Sequence, residues 1–331
     1  MKVKDQKHEK NYSIYNGDCI DVVSELDNEC IDLSVYSPPF AGLYIYSSDK
    51  KDMSNNESPE DFLTHYEFLI KEISRVTKPG RITAVHCSDV ITHTTKHNLW
   101  DFPHEIIKLH LKHGFTYNNR ITIWKEPLEV RMRTMVQSLT HKNIVEDSTR
   151  CFTAIPDYVL IFRKGGENKI PVTHDNGLVD FPYFGSTPFL DMHKETYGDY
   201  ETFMQKYKNE KDPKKNKLSH LTWQRYASSV WDDIRNSNIL EFKSAKEEDD
   251  EKHVHPLQLD VIDRLVYLYS NPNEVVLTPF AGVGSEVYSP VSLGRKAIGI
   301  ELKDSYYKQM ILNLSDADKR FKQPAKNITL F

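Results

Sequence analysis

Apolar and polar residues alternate with two different periods along the first 165 residues, which predicts strands that alternate with helices. Runs of apolar and β-branched residues predict strands at 31–36, 81–86, 120–124 and 158–162. Apolar residues at helical spacing predict one helix that begins at Ser58 and another at 103–113. We expect the first helix to stop at Lys78-Pro79-Gly80 and the second at Gly114, because proline and glycine end helices.

The same alternation returns after residue 252. His255-Pro256 begins a predicted helix, and strands are predicted at 274–278 and 296–300. A glycine-bearing turn at 279–285 leads from the first of these strands into another helix. Strand–helix–strand alternation at both ends of the chain predicts an α/β fold, with one parallel sheet covered by helices on both faces.

Residues 166–252 lack a clear period and are rich in Pro, Gly, Asn, Asp, Tyr and Lys. This texture predicts an irregular insertion or a small second domain. The chain is therefore expected to consist of residues 1–165, an insertion at 166–252, and residues 253–331.

Composition narrows the class of protein. The chain has 331 residues and a net charge of −5, so contacts with phosphates must come from a local basic patch. No apolar stretch is long enough to span a membrane, and the charged N-terminus does not resemble a secretory signal. Four scattered cysteines without a CxxC pair argue against a zinc site or a disulfide framework, and we expect no metal and a cytoplasmic location.

The turn Thr278-Pro279-Phe280-Ala281-Gly282-Val283-Gly284-Ser285 lies between a predicted strand and a predicted helix. Glycines there let a ligand approach the backbone closely. Glu301 ends the next strand and is placed to accept hydrogen bonds from ribose hydroxyls. The pattern favours a nucleoside-type cofactor over a plain tight turn. The third glycine of a dinucleotide site is missing, which favours a ligand without a pyrophosphate and argues against a nicotinamide dehydrogenase.

A second motif, Ser37-Pro38-Pro39-Phe40, follows the strand at 31–36. Two prolines stiffen the chain and remove two amide donors, so carbonyl oxygens can point rigidly into a cleft. Such acceptors, beside a hydroxyl and an aromatic ring, suit a planar group with an exocyclic amine. Both motifs follow strands, and ligands of open parallel sheets bind at the carboxyl ends of the strands. If the two strands are neighbours, the cofactor and the amine share one crevice.

The two motifs resemble those of the amino-group DNA methyltransferases, which modify the exocyclic nitrogen of cytosine or adenine. These enzymes carry a Ser/Asn/Asp-Pro-Pro-Tyr/Phe tetrapeptide and a Phe-x-Gly-x-Gly turn for S-adenosylmethionine. The order here, with the tetrapeptide first, resembles the beta group of the family. Further similar segments are Gly17-Asp18-Cys19, 158–164 and His255-Pro256-Leu257-Gln258. Thr278 departs from the family, which often has an acid at this position.

The resemblance implies a Rossmann-like S-adenosylmethionine-dependent methyltransferase fold, with a mostly parallel, seven-stranded sheet and one reversed strand. Residues 1–165 are expected to form the catalytic half, 166–252 a target-recognition insertion, and 253–331 the cofactor-binding half. It further implies that the catalytic residues are Ser37, Pro38, Pro39 and Phe40. The residues implied for the cofactor are Asp18 (adenine), Glu301 (ribose), His255 and Gln258 (methionine end), and Pro279, Phe280, Gly282, Gly284 and Ser285 of the turn.

The resemblance implies methyl transfer to a flipped-out base in double-stranded DNA. Serine in the first position of the tetrapeptide favours N4 of cytosine, with N6 of adenine as the alternative. An alternative from another class is a nucleic-acid-binding protein that has lost catalysis, and methyl transfer to protein or RNA is a further one. Whether the chain is a monomer or a dimer, and whether a cognate restriction endonuclease accompanies it, stay open.

Candidate DNA contacts lie at 130–145, a segment without a carboxylate in which basic and amide side chains are interleaved. Such side chains read base edges. The candidates are Arg131, Arg133, Gln137, His141 and Lys142, and the alternative is an ordinary solvated loop. Six lysines at 206–217 form a candidate phosphate patch. We expect Trp124, Trp223 and Trp231 to belong to the core.

Overall fold

The computed structural model describes residues 2–39, 53, 58–91, 99–134, 140–151, 153–179, 198, 200–207, 209–246 and 255–320. Within these ranges the strands are β1 (Asp5–His8), β2 (Tyr12–Asn16), β3 (Ile31–Tyr36), β4 (Thr77–Ser88), β5 (Val90–Ile91), β6 (Leu99–Trp100), β7 (Phe115–Ile123), β8 (Asp157–Lys164), β9 (Val230–Trp231), β10 (Val275–Thr278) and β11 (Lys296–Glu301).

The α-helices in the same ranges are α1 (Cys19–Ser24), α2 (Pro59–Val76), α3 (Phe102–Lys112), α4 (Pro127–Thr134), α5 (His141–Asp147), α6 (Tyr200–Tyr207), α7 (Lys217–Tyr226), α8 (Leu259–Tyr269), α9 (Ser285–Ser292) and α10 (Asp304–Asn313). None of these described helices combines the length and the apolar character that a membrane span requires.

One large sheet organises the chain, in the order β1-β2-β11-β10-β3-β4-β8-β7-β9. The seven strands from β2 to β7 are parallel to one another except β8, which runs antiparallel to both β4 and β7. The predicted Rossmann-like, mostly parallel sheet with one reversed strand is thus confirmed. Two short strands, β1 and β9, extend the described sheet at its edges beyond the expected seven.

The strand order reverses between β3 and β10. From β3 the chain continues through α2 to β4 on one side, whereas from β10 it continues through α9 to β11 on the other. Helices cover both faces, so all six residues of β3 are buried. One core cluster packs α8, α9 and α10 against the sheet, and the other packs α1, α2 and α3. The reversal creates the crevice in which ligands of open α/β sheets bind.

Local signals in the sequence placed several element ends correctly. Ser58 is the N-cap of α2 and accepts a hydrogen bond from the Asp61 amide, and Gly114 follows α3 with φ of 84°. The helix predicted to begin at His255-Pro256 instead begins at Leu259. The Leu259 amide donates to the Asn238 carbonyl at 2.8 Å, so a tertiary hydrogen bond helps to hold the preceding segment in an extended conformation.

A buried charge cluster connects residues 225–233 to α8. The Arg264 guanidinium donates two hydrogen bonds to the Asp233 carboxylate, at 2.9 and 2.5 Å, and both side chains are fully buried. Arg225 also contacts Asp233, at 2.5 Å. Burial opposes ionisation of Asp233, but the hydrogen bonds from the two arginines outweigh it, so the pKa of Asp233 lies below its ordinary value.

Removing the Asp233 charge is expected to destabilise the protein strongly. Asp233→Asn leaves Arg264 buried without a full counter-charge, and the free energy of unfolding should fall by roughly 3 kcal/mol. Glu146→Gln is the control, because it removes an exposed ion pair with Lys142 and should change the same quantity by less than ~1 kcal/mol. Urea unfolding followed by circular dichroism measures both, and equal small losses would contradict the expectation.

Candidate active site

The diproline corner follows directly after β3. Tyr36 ends the strand in the core, Ser37 and Pro39 are half-buried, and Pro38 is buried. Phe40, the last residue of the predicted tetrapeptide, lies outside the described residues. The corner therefore begins at the carboxyl end of a central strand, where its carbonyl and hydroxyl oxygens can face a ligand.

The glycine turn follows β10 and depends on backbone conformations that favour glycine. Gly282 and Gly284 have φ of 52° and 97°. A Cβ on Gly284 would lie 2.7 Å from Cγ of Met310, whereas a Cβ on Gly282 would meet no atom within 4 Å among the described residues. Gly284 thus allows close packing against α10, and Gly282 leaves open space on the turn.

The corner and the turn lie at the same edge of the sheet. β3 and β10 are adjacent and parallel, with Ser34 opposite Leu277. Phe280 of the turn contacts Tyr36, and their ring centroids are 6.0 Å apart. The structure therefore brings together the two motifs that the sequence analysis singled out, although the roles of their residues stay predictions.

Two acidic residues hold backbone amides, one at the turn and one at the start of α1. Glu301 accepts hydrogen bonds from the Gly282 amide at 2.7 Å and from the Lys303 amide at 2.8 Å. Asp18 is the N-cap of α1 and accepts from the amides of Ile20 and Asp21 through Oδ1. Both carboxylates have a clear structural role, since each accepts hydrogen bonds from two backbone amides.

Polar atoms of the turn and of the segment before α8 are buried without a hydrogen-bond partner among the described residues. They are Oγ1 of Thr278, Oγ of Ser285 and Oε1 of Gln258. Buried polar atoms normally have partners, and an unpaired one costs about 1–3 kcal/mol. Ser285 and Gln258 belong to the predicted cofactor set, so a polar ligand beside the turn fits the residues present.

A cleft of about 190 Å³ lies beside the extended segment before α8. His255 and Gln258, predicted at the methionine end of the cofactor, line it together with Lys125, Glu129, Val130, Asn236 and Ile239. His255 is exposed and contacts the Phe242 ring edge-on, at 5.1 Å between centroids. The structure therefore groups His255 and Gln258 with a lysine that the sequence analysis did not identify.

Two further site residues, His86 and Asp157, were also missed. His86 Nδ1 lies 3.1 Å from Ser37 Oγ, and His86 Nε2 lies 3.2 Å from Asp157 Oδ2. Lys125 Nζ lies 2.7 Å from the same Asp157 oxygen. A signal existed in the sequence: each is a polar residue at an end of an apolar strand. This signal is not sufficient, because the sequence does not show that β8 is reversed. Only the reversal brings Asp157, the first residue of β8, to the edge of the sheet where β3 and β4 end.

Glu286 in the first turn of α9 has an unusual protonation. Burial, and secondarily the nearby Glu301 carboxylate, raise the pKa of Glu286 to about 8. Its carboxyl group is therefore mostly neutral at pH 7.

The predicted DNA-reading residues are only partly described. Arg131 is half-buried on α4, whereas His141 and Lys142 are exposed on α5, where Lys142 pairs with Glu146 at 3.7 Å. Arg133 lies on α4, but its side chain is outside the described residues, as is Gln137. Most of the described part of the segment is helical rather than a loop, and DNA contact by these side chains stays a prediction.

The prediction that three tryptophans belong to the core is only partly correct. Trp231 is fully buried, but Trp124 and Trp223 are 52% and 59% exposed. Trp124 follows the last residue of β7 and therefore lies at the edge of the sheet rather than within it. As for metals, the described residues contain no group of three or more potential ligands.

Comparisons with known proteins agree with this geometry. A family model described as DNA methylase matches residues 31–312. The chain is 23% identical to the Type II methyltransferase M.BglII of Bacillus subtilis, covering 88% of this chain and 66% of that protein. It is 25% identical to the Type II methyltransferase M.BamHI of Bacillus amyloliquefaciens, covering 93% and 58%. The chain thus spans about two thirds or less of these relatives.

Solved structures share the fold at lower identity. The PvuII DNA methyltransferase, cytosine-N4-specific, superposes with a TM-score of 0.60 at 14% identity, covering 96% of this chain and 93% of that one. A DNA modification methylase of Thermus thermophilus, TTHA0409, complexed with S-adenosyl-L-methionine, superposes with a TM-score of 0.58 at 20% identity, covering 94% and 97%.

The protonation of Glu286 predicts a pH dependence of stability. Its pKa rises from an ordinary 4.5 when unfolded to about 8 when folded, so the stability from this group is complete below pH 4.5 and is lost as pH rises toward 8. Glu286→Gln removes this titration. The melting temperature of the variant minus that of the unmodified protein should therefore increase from pH 5 to pH 8 and reach at least about 2 °C at pH 8. The exposed control Glu146→Gln should show no such growth. A constant difference for Glu286→Gln would contradict the assignment.

Proposed function

Because this chain belongs to the DNA methylase family, we propose that it transfers a methyl group from S-adenosyl-L-methionine to the exocyclic amine of a base in DNA, with N4 of cytosine as the favoured target. The observation that carries the proposal is the adjacency of the diproline corner and the glycine turn. They follow neighbouring parallel strands, and their elements touch through Tyr36 and Phe280. Amine and cofactor would therefore meet in one crevice.

The cofactor would lie along the turn. Gly282 offers open space for close approach, and the unpaired buried oxygens of Ser285 and Gln258 offer hydrogen bonds. Glu301 would accept from the ribose hydroxyls and Asp18 from the adenine amine, because a carboxylate acts as a hydrogen-bond acceptor. Pro279, Phe280 and Gly284 would shape the turn, and His255 would lie with Gln258 at the methionine end. When bound, S-adenosyl-L-methionine supplies a methyl group on a sulfonium, whose thioether is the leaving group.

The diproline corner would hold the target amine. An amine inside a duplex is inaccessible, so the base must be flipped out, which costs a few kcal/mol. Stacking on Phe40 would recover about 1–3 kcal/mol. The Pro38 carbonyl and Ser37 Oγ would accept hydrogen bonds from the amine and stabilise the positive charge that grows on nitrogen. Pro39 keeps the corner rigid, so the protein contributes mainly alignment.

Two features bear on which base is methylated. Ser37 in the first tetrapeptide position supports cytosine, as does the fold shared with the cytosine-N4-specific PvuII enzyme. N6 of adenine is the second candidate, because the DNA adenine methyltransferase YhdJ of Escherichia coli is 32% identical over 108 residues, a third of this chain and 34% of that protein. The favoured target stays N4 of cytosine.

The duplex would be read by Arg131, Arg133, Gln137, His141 and Lys142, together with residues 166–252 as a target-recognition insertion between the catalytic and cofactor halves. Exposed apolar side chains support a contact surface there: Leu128 and Met132 are one turn apart on α4, and Trp124, just before this helix in the chain, is also exposed. Apolar side chains can insert between base steps of a duplex and unstack them. The Type II names of the relatives suggest a restriction–modification role with a partner endonuclease.

Cofactor binding is tested with two glycine variants. Gly282→Ala and Gly294→Ala both place a Cβ at a left-handed residue, with φ of 52° and 75°, where no described atom lies within 4 Å. Each should cost about 1–2 kcal/mol of stability. Only Gly282→Ala should weaken binding of S-adenosyl-L-methionine, by at least tenfold (~1.4 kcal/mol), in isothermal titration calorimetry. Equal effects of the two variants on affinity would contradict a cofactor site at this turn.

Methyl transfer is tested by incubating the protein with DNA and labelled S-adenosyl-L-methionine, followed by mass spectrometry of the nucleosides. We expect N4-methylcytosine, and Ser37→Ala should lower turnover by about a hundredfold with cofactor affinity nearly unchanged. Ser13→Ala is the control, because Ser13 forms the same kind of contact with a histidine, His8, on an exposed edge of the sheet. N6-methyladenine would select the second candidate, and DNA binding without any modified base would indicate a catalytically silent protein.

A further inference from the structure

Four polar side chains form a row at the sheet edge behind the diproline corner. Ser37 follows β3, His86 lies near the end of β4, Asp157 begins β8 and Lys125 follows β7. These strands are consecutive neighbours in the sheet. Ser37 is half-buried, and the other three side chains are buried. Each member contacts the next, at 3.1, 3.2 and 2.7 Å.

Asp157 is an ionised acceptor. Burial opposes its ionisation, but the close contact with His86 and the charge of Lys125 outweigh burial, so the pKa of Asp157 lies well below its ordinary value. His86 Nε2 lies 3.2 Å from Asp157 Oδ2 without the alignment of a full hydrogen bond, and a carboxylate, which can only accept, favours a proton on the ring nitrogen that faces it. In a neutral imidazole, Nδ1 is then left as an acceptor toward Ser37.

The direction of the Ser37 hydroxyl follows from this tautomer. When Nδ1 accepts, the hydroxyl proton of Ser37 points to His86, and the oxygen lone pairs are left for the corner. An amine that awaits a methyl group needs acceptors for its N–H bonds. A hydroxyl proton aimed at the amine nitrogen would instead compete for the lone pair that attacks the methyl group.

We propose that His86 and Asp157 are positioning residues that fix the Ser37 hydroxyl as a hydrogen-bond acceptor for the target amine, with Lys125 as the counter-charge that completes the row. The proposal rests on the proposed function for the identity of the amine. The orientation of the hydroxyl itself is a property of the protein alone.

The tautomer is tested without cofactor or DNA. ¹⁵N NMR of the protein labelled at histidine should show His86 protonated at Nε2 and not at Nδ1, with the signals assigned by their loss in His86→Asn. In Asp157→Asn, the amide oxygen should stay beside Lys125, so the amide NH₂ group faces His86 Nε2. Because an NH₂ group donates, Nε2 must then accept, and the ring proton moves to Nδ1. A wild-type His86 protonated at Nδ1 would overturn the proposal.

Turnover is tested with two substitutions of His86 by amide side chains of different length. In His86→Asn the side-chain oxygen can occupy the place of Nδ1 and accept from the Ser37 hydroxyl. In His86→Gln the longer side chain carries its amide toward Asp157, so the hydrogen bond with Ser37 is lost. We expect His86→Gln and Asp157→Asn to lower kcat at least tenfold, and His86→Asn to recover most of the loss. KM for DNA and the Kd for S-adenosyl-L-methionine should change by less than twofold in all three.

His8→Asn is the matched control, because His8 contacts Ser13 at 3.0 Å through the same nitrogen on the opposite edge of the sheet. It should leave kcat unchanged. Equal kcat for His86→Gln and His86→Asn, or losses that appear in Kd rather than in kcat, would overturn the proposal. If the unmodified protein methylates no base while its His86 carries the expected tautomer, the proposed function fails and the orientation of Ser37 stands.

Discussion

The pairing of β3 with β10 is the constraint on which the rest of the site depends. These strands are parallel and adjacent although they lie about 240 residues apart in the chain, and the strand order reverses between them. Parallel neighbours end at the same edge, so the segments that follow them must face one crevice. The adjacency of the two strands is therefore sufficient to bring the rigid diproline corner and the glycine turn together. The contact between Tyr36 and Phe280 fixes their separation.

The groups around this crevice are held by backbone hydrogen bonds before any ligand binds. Glu301 fastens the turn to β11, and Asp18 caps α1 beside it. A carboxylate that already accepts from amides has a restricted orientation, so ordering it for a ligand costs less conformational entropy. The unpaired oxygens of Ser285 and Gln258 contrast with them, since the described residues leave their hydrogen-bonding capacity unused.

The sequence was informative wherever a local rule decides the structure. Ser58 and Gly114 mark helix ends by capping, and the glycines of the turn mark left-handed backbone. The sequence was less informative where a tertiary contact decides the structure. The start of α8 depends in part on a hydrogen bond to Asn238, and Trp124 is exposed because it lies just beyond the end of β7. His86, Asp157 and Lys125 were not identified for the same reason. His86 and Lys125 lie where β4 and β7 end, and only the reversed direction of β8 brings Asp157 to that edge.

The same reversal explains why a charged row can exist behind the corner. In an all-parallel sheet, the residues that begin a strand lie at the opposite edge from those that end its neighbours. Because β8 alone among the seven central strands runs backwards, its first residue, Asp157, faces the ends of β4 and β7. A single buried carboxylate there would be costly, and Lys125 at 2.7 Å offsets it. His86 lies between this ion pair and Ser37, with Nε2 at 3.2 Å from Asp157 and Nδ1 at 3.1 Å from Ser37 Oγ.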